Sequence, residues 1–114
     1  MANAVLFVGW DRPRGGVEPK KAYGHLLTEG LEYLKKLEGK SFERIETVGL
    51  TPHGGDINGF VLLFGERAKL DELRRTDAFE AYVMRLGELF DGLAIIPGVN
   101  LAGMKAVMER VDKR

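Results

Sequence analysis

TPHGGDINGFVLLF, residues 51–64, is the stretch on which the reading of the chain turns. Its first half is turn chemistry: Pro52, Gly54, Gly55, Asp56 and Asn58 are residue types that favour a reversal of the backbone. Its second half, Phe60–Phe64, is apolar at every position, as expected of a strand covered on both faces. Upstream lie a strand run at Ala4–Trp10, a helical stripe at Val17–Leu37 and a second strand at Phe42–Leu50. From the pivot onward the same three patterns return, at Ile57–Phe64, Leu70–Leu86 and Leu93–Ile96. This β-α-β-β-α-β order predicts an α+β fold, a four-stranded antiparallel sheet with two helices on one face.

AVLFVGW at 4–10 also carries β-branched and aromatic residues on both parities, which reads as a strand buried on both sides. DRPRGG at 11–16 is a loop. The first helix carries Tyr23, Leu26, Leu27, Gly30, Leu31, Leu34 and Leu37 at amphipathic spacing, with Gly39 as its stop. His25 falls on the opposite, charged face with Lys21, Glu29 and Glu32, which predicts an exposed imidazole. Arg44, Glu46 and Thr47 interleave with Ile45, Val48 and Leu50, the mixed pattern of an edge strand. Ala68–Arg74 is a short helix, broken at Thr76-Asp77. Asp77 and Glu80 then form a capping-box-like start for a helix packing through Phe79, Tyr82, Val83, Leu86 and Phe90. Leu93–Ile96 is the fourth strand, closed by Pro97-Gly98. Asn100 caps a last helix whose inner side is Leu101, Met104, Val107, Met108 and Val111, the methionines serving as adaptable core filler.

The 114 residues read as a single domain, 1–114, able to bury roughly 65% of its unfolded surface. Lys plus Arg and Asp plus Glu both number 17. Zero net charge argues against a nucleic-acid partner, which favours a basic face. There is no cysteine, which excludes disulfides, thiolate nucleophiles and Cys-based metal sites. Two histidines on separate elements make no metal site, and no cofactor motif is present, so none is expected. The single serine, Ser41, makes a hydrolytic triad improbable. The first apolar run is short, has no basic leader and ends at Asp11. It reads as neither signal peptide nor membrane span, and a cytoplasmic protein without a membrane partner is the expectation.

A half-exposed sheet alternates apolar and polar residues. The first, third and fourth strands do not: Val5/Phe7 and Leu6/Val8, Phe60/Leu62/Phe64 and Val61/Leu63, and Leu93/Ile95 and Ala94/Ile96 are apolar on both parities. Both sheet faces therefore need cover. The expected cover is a second copy, sheet against sheet, in a C2 homodimer. The alternative is that the last helix folds over the second face of its own chain.

In its element order and two-sided strands the chain resembles the dimeric α+β barrels, which are built on a ferredoxin-like fold. PHGGDINGFVLLFG (52–65) followed by LRRTDAFEAYV (73–83) is similar to a set of small bacterial proteins of this type. The superfamily includes cofactor-free monooxygenases, lactone isomerases, haem-handling enzymes and ligand-sensing or stress-induced domains. The resemblance thus implies a pocket without naming a chemistry.

This connectivity brings Trp10, Asp11, Arg12, Arg14, His53, Asp56, Asn58 and Asp91 to one end of the sheet, near a cleft between sheet and helices. His53, in its Gly-rich loop, is the candidate general acid or base, with Asp56 to orient it. The competing reading is a solvated turn residue. Arg12 and Arg14 precede the first helix and suit a carboxylate or phosphate, but DRPRGG lacks the P-loop pattern. Trp10 is either a pocket wall or a core cap. Gly30, in mid-helix, serves close helix–sheet packing or leaves room for a bound molecule. Trp10, Arg12, Arg14, His53 and Asn58 are the candidate ligand-binding residues, and His53 with Asp56 the candidate catalytic pair. Three functions fit: binding of a small organic ligand between sheet and helices, a cofactor-free monooxygenase or isomerase acting on a small aromatic or lactone, and a structural dimer with no ligand.

Overall fold

A computed structural model describes residues 2–51 and 53–112. Four strands, β1 (Ala4–Trp10), β2 (Arg44–Gly49), β3 (Gly59–Gly65) and β4 (Ala94–Val99), form one antiparallel sheet in the order β2-β3-β1-β4. In the register Phe7 lies opposite Leu62 on one side and Ile96 on the other, and Leu62 lies opposite Glu46. β2 is an edge strand and β3 a central one, as the mixed and the continuous apolar patterns predict. β4 runs on through Pro97 and Gly98 instead of stopping before them. An edge strand tolerates proline because its outward N–H has no ladder partner to lose.

Alternation divides the sheet. Ala4, Leu6, Val8 and Trp10, with Val61 and Leu63, point to the helical layer and are buried. Trp10 lies flat across β3 at Gly59, where a Cβ would come within 2.5 Å of its Cζ2. The opposite parity, Val5, Phe7, Phe60, Leu62 and Phe64, is only partly covered, and Ile96 beside it is 52% exposed.

The helical layer consists of α1 (Pro19–His25), a π-turn (Leu26–Gly30), α2 (Leu31–Leu37), α3 (Arg67–Arg74) and α4 (Asp77–Leu89). The first helix starts at Pro19, where proline suits the first turn, and not at Val17. Its buried row is Ala22, Leu26, Gly30 and Leu34. Four steps of about 100° overshoot a full turn by about 40°, so a row at this spacing spirals off a pure α-helix. The wider π-turn, bonded i to i+5, pulls the row back into line. The same shift turns Leu27, expected on the inner stripe, outward to 54% exposure. Gly39 takes φ +84° two residues beyond the helix end. The α4 cap is Thr76, whose hydroxyl accepts from Phe79 N–H at 3.2 Å, one residue earlier than the expected Asp77.

α5 (Leu101–Asp112) is capped by Asn100, whose Oδ1 accepts from Gly103 N–H at 3.0 Å. The expected inner stripe is not inner. Leu101, Met104, Met108 and Val111 are more than half exposed, and the buried residue is Gly103. α5 therefore does not use its apolar stripe to cover the second face of its own sheet. The molecule measures 52 × 33 × 19 Å, a thin two-layer body with one apolar sheet face uncovered. Among the described residues no helix is long and apolar enough to cross a membrane.

Candidate functional site

The end of the sheet at which the candidate residues were expected to meet is a knot of main chain and side chains. Asp11 N–H donates to Asp91 O at 2.9 Å, Asp91 N–H to Arg12 O at 2.7 Å, and Arg14 N–H to Leu89 O at 2.9 Å. Arg12 and Arg14 both approach the Asp91 carboxylate, at 3.7 and 3.6 Å. Arg14 Nε also donates to the Gly87 carbonyl. Asn58 ties in the β2–β3 connection: its Nδ2 donates to the Asp11 carbonyl and, at 3.0 Å, to Asp11 Oδ1. Five of the expected residues thus converge, and their polar groups hold three loops together.

Trp10 is core. Its indole packs with Phe90 at 5.7 Å and with Tyr23 at 6.5 Å, and this aromatic cluster fills the space between sheet and helices at that end. His53 stands apart from the knot on an exposed loop. Its Nδ1 accepts from Gly55 N–H at 2.9 Å, and its Nε2 lies 2.6 Å from the Ile57 carbonyl. Accepting at Nδ1 and donating at Nε2 fixes the Nε2–H tautomer. Main-chain groups thereby take the orienting role expected of Asp56. The turn role read for Pro52 lies outside the described residues.

The cleft between sheet and helices opens elsewhere, along β4. One cavity of about 260 Å³ is lined by Ala4, Leu6, Leu70, Pro97 and Val99, with Arg67, Asp71 and Arg74 above. A second, of about 310 Å³, is lined by Phe79, Val83, Met84 and Ile95, with Glu80 and again Arg74. The half-buried Arg74 belongs to both. It marks one groove with an apolar floor from β1 and β4, and polar walls from α3 and α4. Sequence reasoning missed it, although the signal was present: Arg67, Leu70, Asp71 and Arg74 recur at i, i+3, i+4 and i+7 and so share a helix face. The segment Ala68–Arg74 read simply as a short helix.

A shallower crevice of about 250 Å³ lies between the first helix and α4, lined by His25, Glu29, Gly30, Tyr33, Ala78, Ala81, Tyr82 and Arg85. His25, expected to be exposed, has a side chain only 13% exposed, with Nδ1 3.2 Å from Glu29 Oε2. Ala78 and Ala81 of α4 line the crevice with it. Gly30 serves packing: a Cβ there would meet Tyr82 Cε1 at 3.3 Å, a helix–helix contact in place of the expected helix–sheet one. The Tyr82 hydroxyl is buried and finds no hydrogen-bond partner among the described residues. Burial, with the nearby Tyr33 phenol adding, pushes its ionisation well above the ordinary tyrosine range. Burial also raises Tyr33, offset in part by a hydrogen bond with Thr76. Among the described residues no three His, Asp or Glu side chains converge as metal ligands.

No family model matches the chain, and no curated protein matches it. Solved structures do. A protein of the ethyl tert-butyl ether D family from Bacillus halodurans superposes with a TM-score of 0.67 at 16% identity, over 89% of this chain and 100% of that one. A dimeric protein of unknown function and ferredoxin-like fold from Bacteroides fragilis gives 0.60 at 15% identity, over 85% and 96%. A conserved protein from Methanosarcina mazei gives 0.56 at 15%, over 86% and 91%. The fold is therefore ferredoxin-like, as the element order predicts. At these identities the likeness carries the architecture and no chemistry.

Proposed function

We propose that this chain is a ligand-binding homodimer whose groove between β4 and the α3–α4 pair holds a small organic molecule with an apolar body and an anionic end. The observation that carries the reading is Arg74, half-buried where two cavities over an apolar floor meet. A guanidinium in partly desolvated surroundings is suited to a carboxylate, which it can hold with two parallel hydrogen bonds. Arg67 and Arg74 face a single acidic group, Asp71, in the first cavity, which favours an anion there. Leu70, Pro97 and Val99 supply the apolar contact. The volume suits a molecule at the small end of the usual ligand range.

An oxygenase or isomerase acting through His53 has less support. Proton abstraction needs a free lone pair, and the His53 lone pair accepts from Gly55 N–H. The groove itself speaks against a module with nothing to bind.

The test is a thermal-shift titration with benzoate and hexanoate as probes, on the native chain and on Arg74→Ala. Ligand at a hundred times its dissociation constant stabilises by about 2.7 kcal/mol, a shift of about 10 °C for a domain this size. The expected result is a saturable rise in Tm in the native chain that Arg74→Ala abolishes. An equal rise in both proteins, or none in either, overturns the assignment.

A further inference from the structure

We propose that α5 is a clasp for a second copy of this chain: its stripe Leu101, Met104, Met108 and Val111 seats against the partner beside the sheet-to-sheet contact. The inference rests on the homodimer reading and adds a second element to its interface. The four side chains are 67%, 51%, 63% and 54% exposed, a continuous apolar ridge in water. Scattered apolar residues on a surface need no explanation, but an aligned row of large ones does.

The helix is firmly rooted and otherwise unsupported. At its base Asn100 bonds Gly103 N–H at 3.0 Å and, through Nδ2, the Ala2 carbonyl at 2.8 Å. Gly103 is seated so closely that a Cβ would lie 2.8 Å from Val99 Cβ. At about 100° per residue, Met104, Met108 and Val111 lie on a flank turned roughly 80–140° from Gly103. The contact that anchors α5 therefore points the ridge away from its own chain. A helix of twelve residues spans about 18 Å, close to the width of a four-stranded sheet, so the ridge is long enough to lie across one whole partner face or edge.

Surface area points to a second copy as the occupant. The chain exposes 7437 Å², whereas a monomeric globular protein of 12.7 kDa exposes about 6,200 Å². The surplus of roughly 1,200 Å² exceeds the ~800 Å² per partner of a standard interface. A surplus of that size is what two elements of each copy, the sheet face and the α5 ridge, would cover on meeting the other. In a two-fold dimer each copy gives one clasp and receives one. Charge favours a second copy over a lipid surface only modestly: Lys105 and Arg110 on α5 are matched by Glu109 and Asp112, and Lys113 and Arg114 after it leave an excess of two basic residues.

The experiment is sedimentation velocity over a dilution series of the native chain and Met104→Asp/Met108→Asp, two positions that are exposed in the single chain. Because the chain has no cysteine, Met108→Cys labelled with an environment-sensitive dye gives a local readout. The expected result is a native dimer, a dissociation constant raised at least about tenfold in the double variant because it places charge in a dry contact, and dye emission that shifts to the blue as the dimer forms. A dimer of unchanged affinity, or dye emission indifferent to dimerisation, overturns the clasp and leaves the homodimer standing. A native chain that sediments as a monomer at every concentration overturns both, as does a monomer that floats with 3:1 phosphatidylcholine–phosphatidylglycerol vesicles.

Discussion

Tyr82 shows how a single side chain records the packing around it. Its ring sits against Phe79 and Tyr33, at 5.6 and 5.4 Å, where Gly30 makes room for it, while its hydroxyl is buried with no partner among the described residues. An unsatisfied buried hydroxyl costs about 1–3 kcal/mol, so Tyr82→Phe is expected to raise the urea midpoint at neutral pH. The pH dependence follows from the same burial. The phenol ionises near pH 10 in the unfolded chain and well above that when folded. Above pH 10 the unfolded state holds fewer protons, so stability falls as pH rises. The native midpoint should be level to about pH 9 and decline beyond it, and Tyr82→Phe should flatten that decline. An equally steep decline in the variant would place the alkaline sensitivity elsewhere. Sequence reasoning put Tyr82 in the core correctly, because its place in the helix stripe is a local property. It missed the groove at Arg74, because a groove assembled from β1, β4, α3 and α4 depends on which strand lies at the sheet edge. For His53 it left two readings open, because a Gly-rich loop can aim an imidazole at a substrate or at its own backbone, and both ring nitrogens here lie against main-chain groups.

The most informative element is the first helix. Amphipathic spacing correctly placed it on the sheet, yet put Leu27 inside and His25 outside; the π-turn at Leu26–Gly30 carries Leu27 outward, while His25, just before the turn, lines the crevice against α4. No composition rule announces such a turn. What betrays it is the buried row 22, 26, 30, 34, whose constant spacing of four an α-helix cannot keep on one face. The turn behaves as one surplus residue, and that can be tested. Deleting Thr28 gives a row at 22, 26, 29 and 33, which lies on one face of an uninterrupted α-helix. Thr28 contributes only a hydroxyl bond to Gly24 O at 2.6 Å. The deletion variant is therefore expected to keep a cooperative urea transition and native helical circular dichroism. Deleting Lys35, beyond the turn, rotates Leu37 and should lose cooperativity. If both deletions unfold alike, the row is not held in phase by the turn. Pro97 makes the complementary point: read as a strand end, it lies within a strand because β4 is an edge, a fact of topology absent from local sequence.

At the scale of the whole molecule the doubled β-α-β order was enough for the ferredoxin-like architecture, since few arrangements pair these strands without crossing connections. The two-sided strands also foretold an uncovered face, and the structure is a two-layer body 19 Å thick with Val5, Phe7, Phe60, Leu62 and Phe64 facing away from the helices. Phe7 and Phe60 stack at 5.3 Å on that face. Toward the β2 edge the Arg44 guanidinium lies 3.7 Å over the Phe64 ring and pairs with Glu46 at 3.0 Å. An apolar centre with a charged border is the anatomy of a protein interface. Zero net charge offers no repulsion to keep copies apart. Leu62→Asp tests the face at its centre, between Phe7 on β1 and Glu46 on β2. Its side chain points away from the helical core, so the single chain should fold with its secondary structure intact. In a dimer that buries this face the two aspartates would be desolvated among apolar rings, a cost of several kcal/mol that a standard interface does not absorb. Sedimentation velocity at micromolar concentration should therefore find the native chain dimeric and Leu62→Asp monomeric with unchanged circular dichroism. A variant that stays dimeric would move the contact off the sheet and leave the α5 ridge as the sole joint between copies.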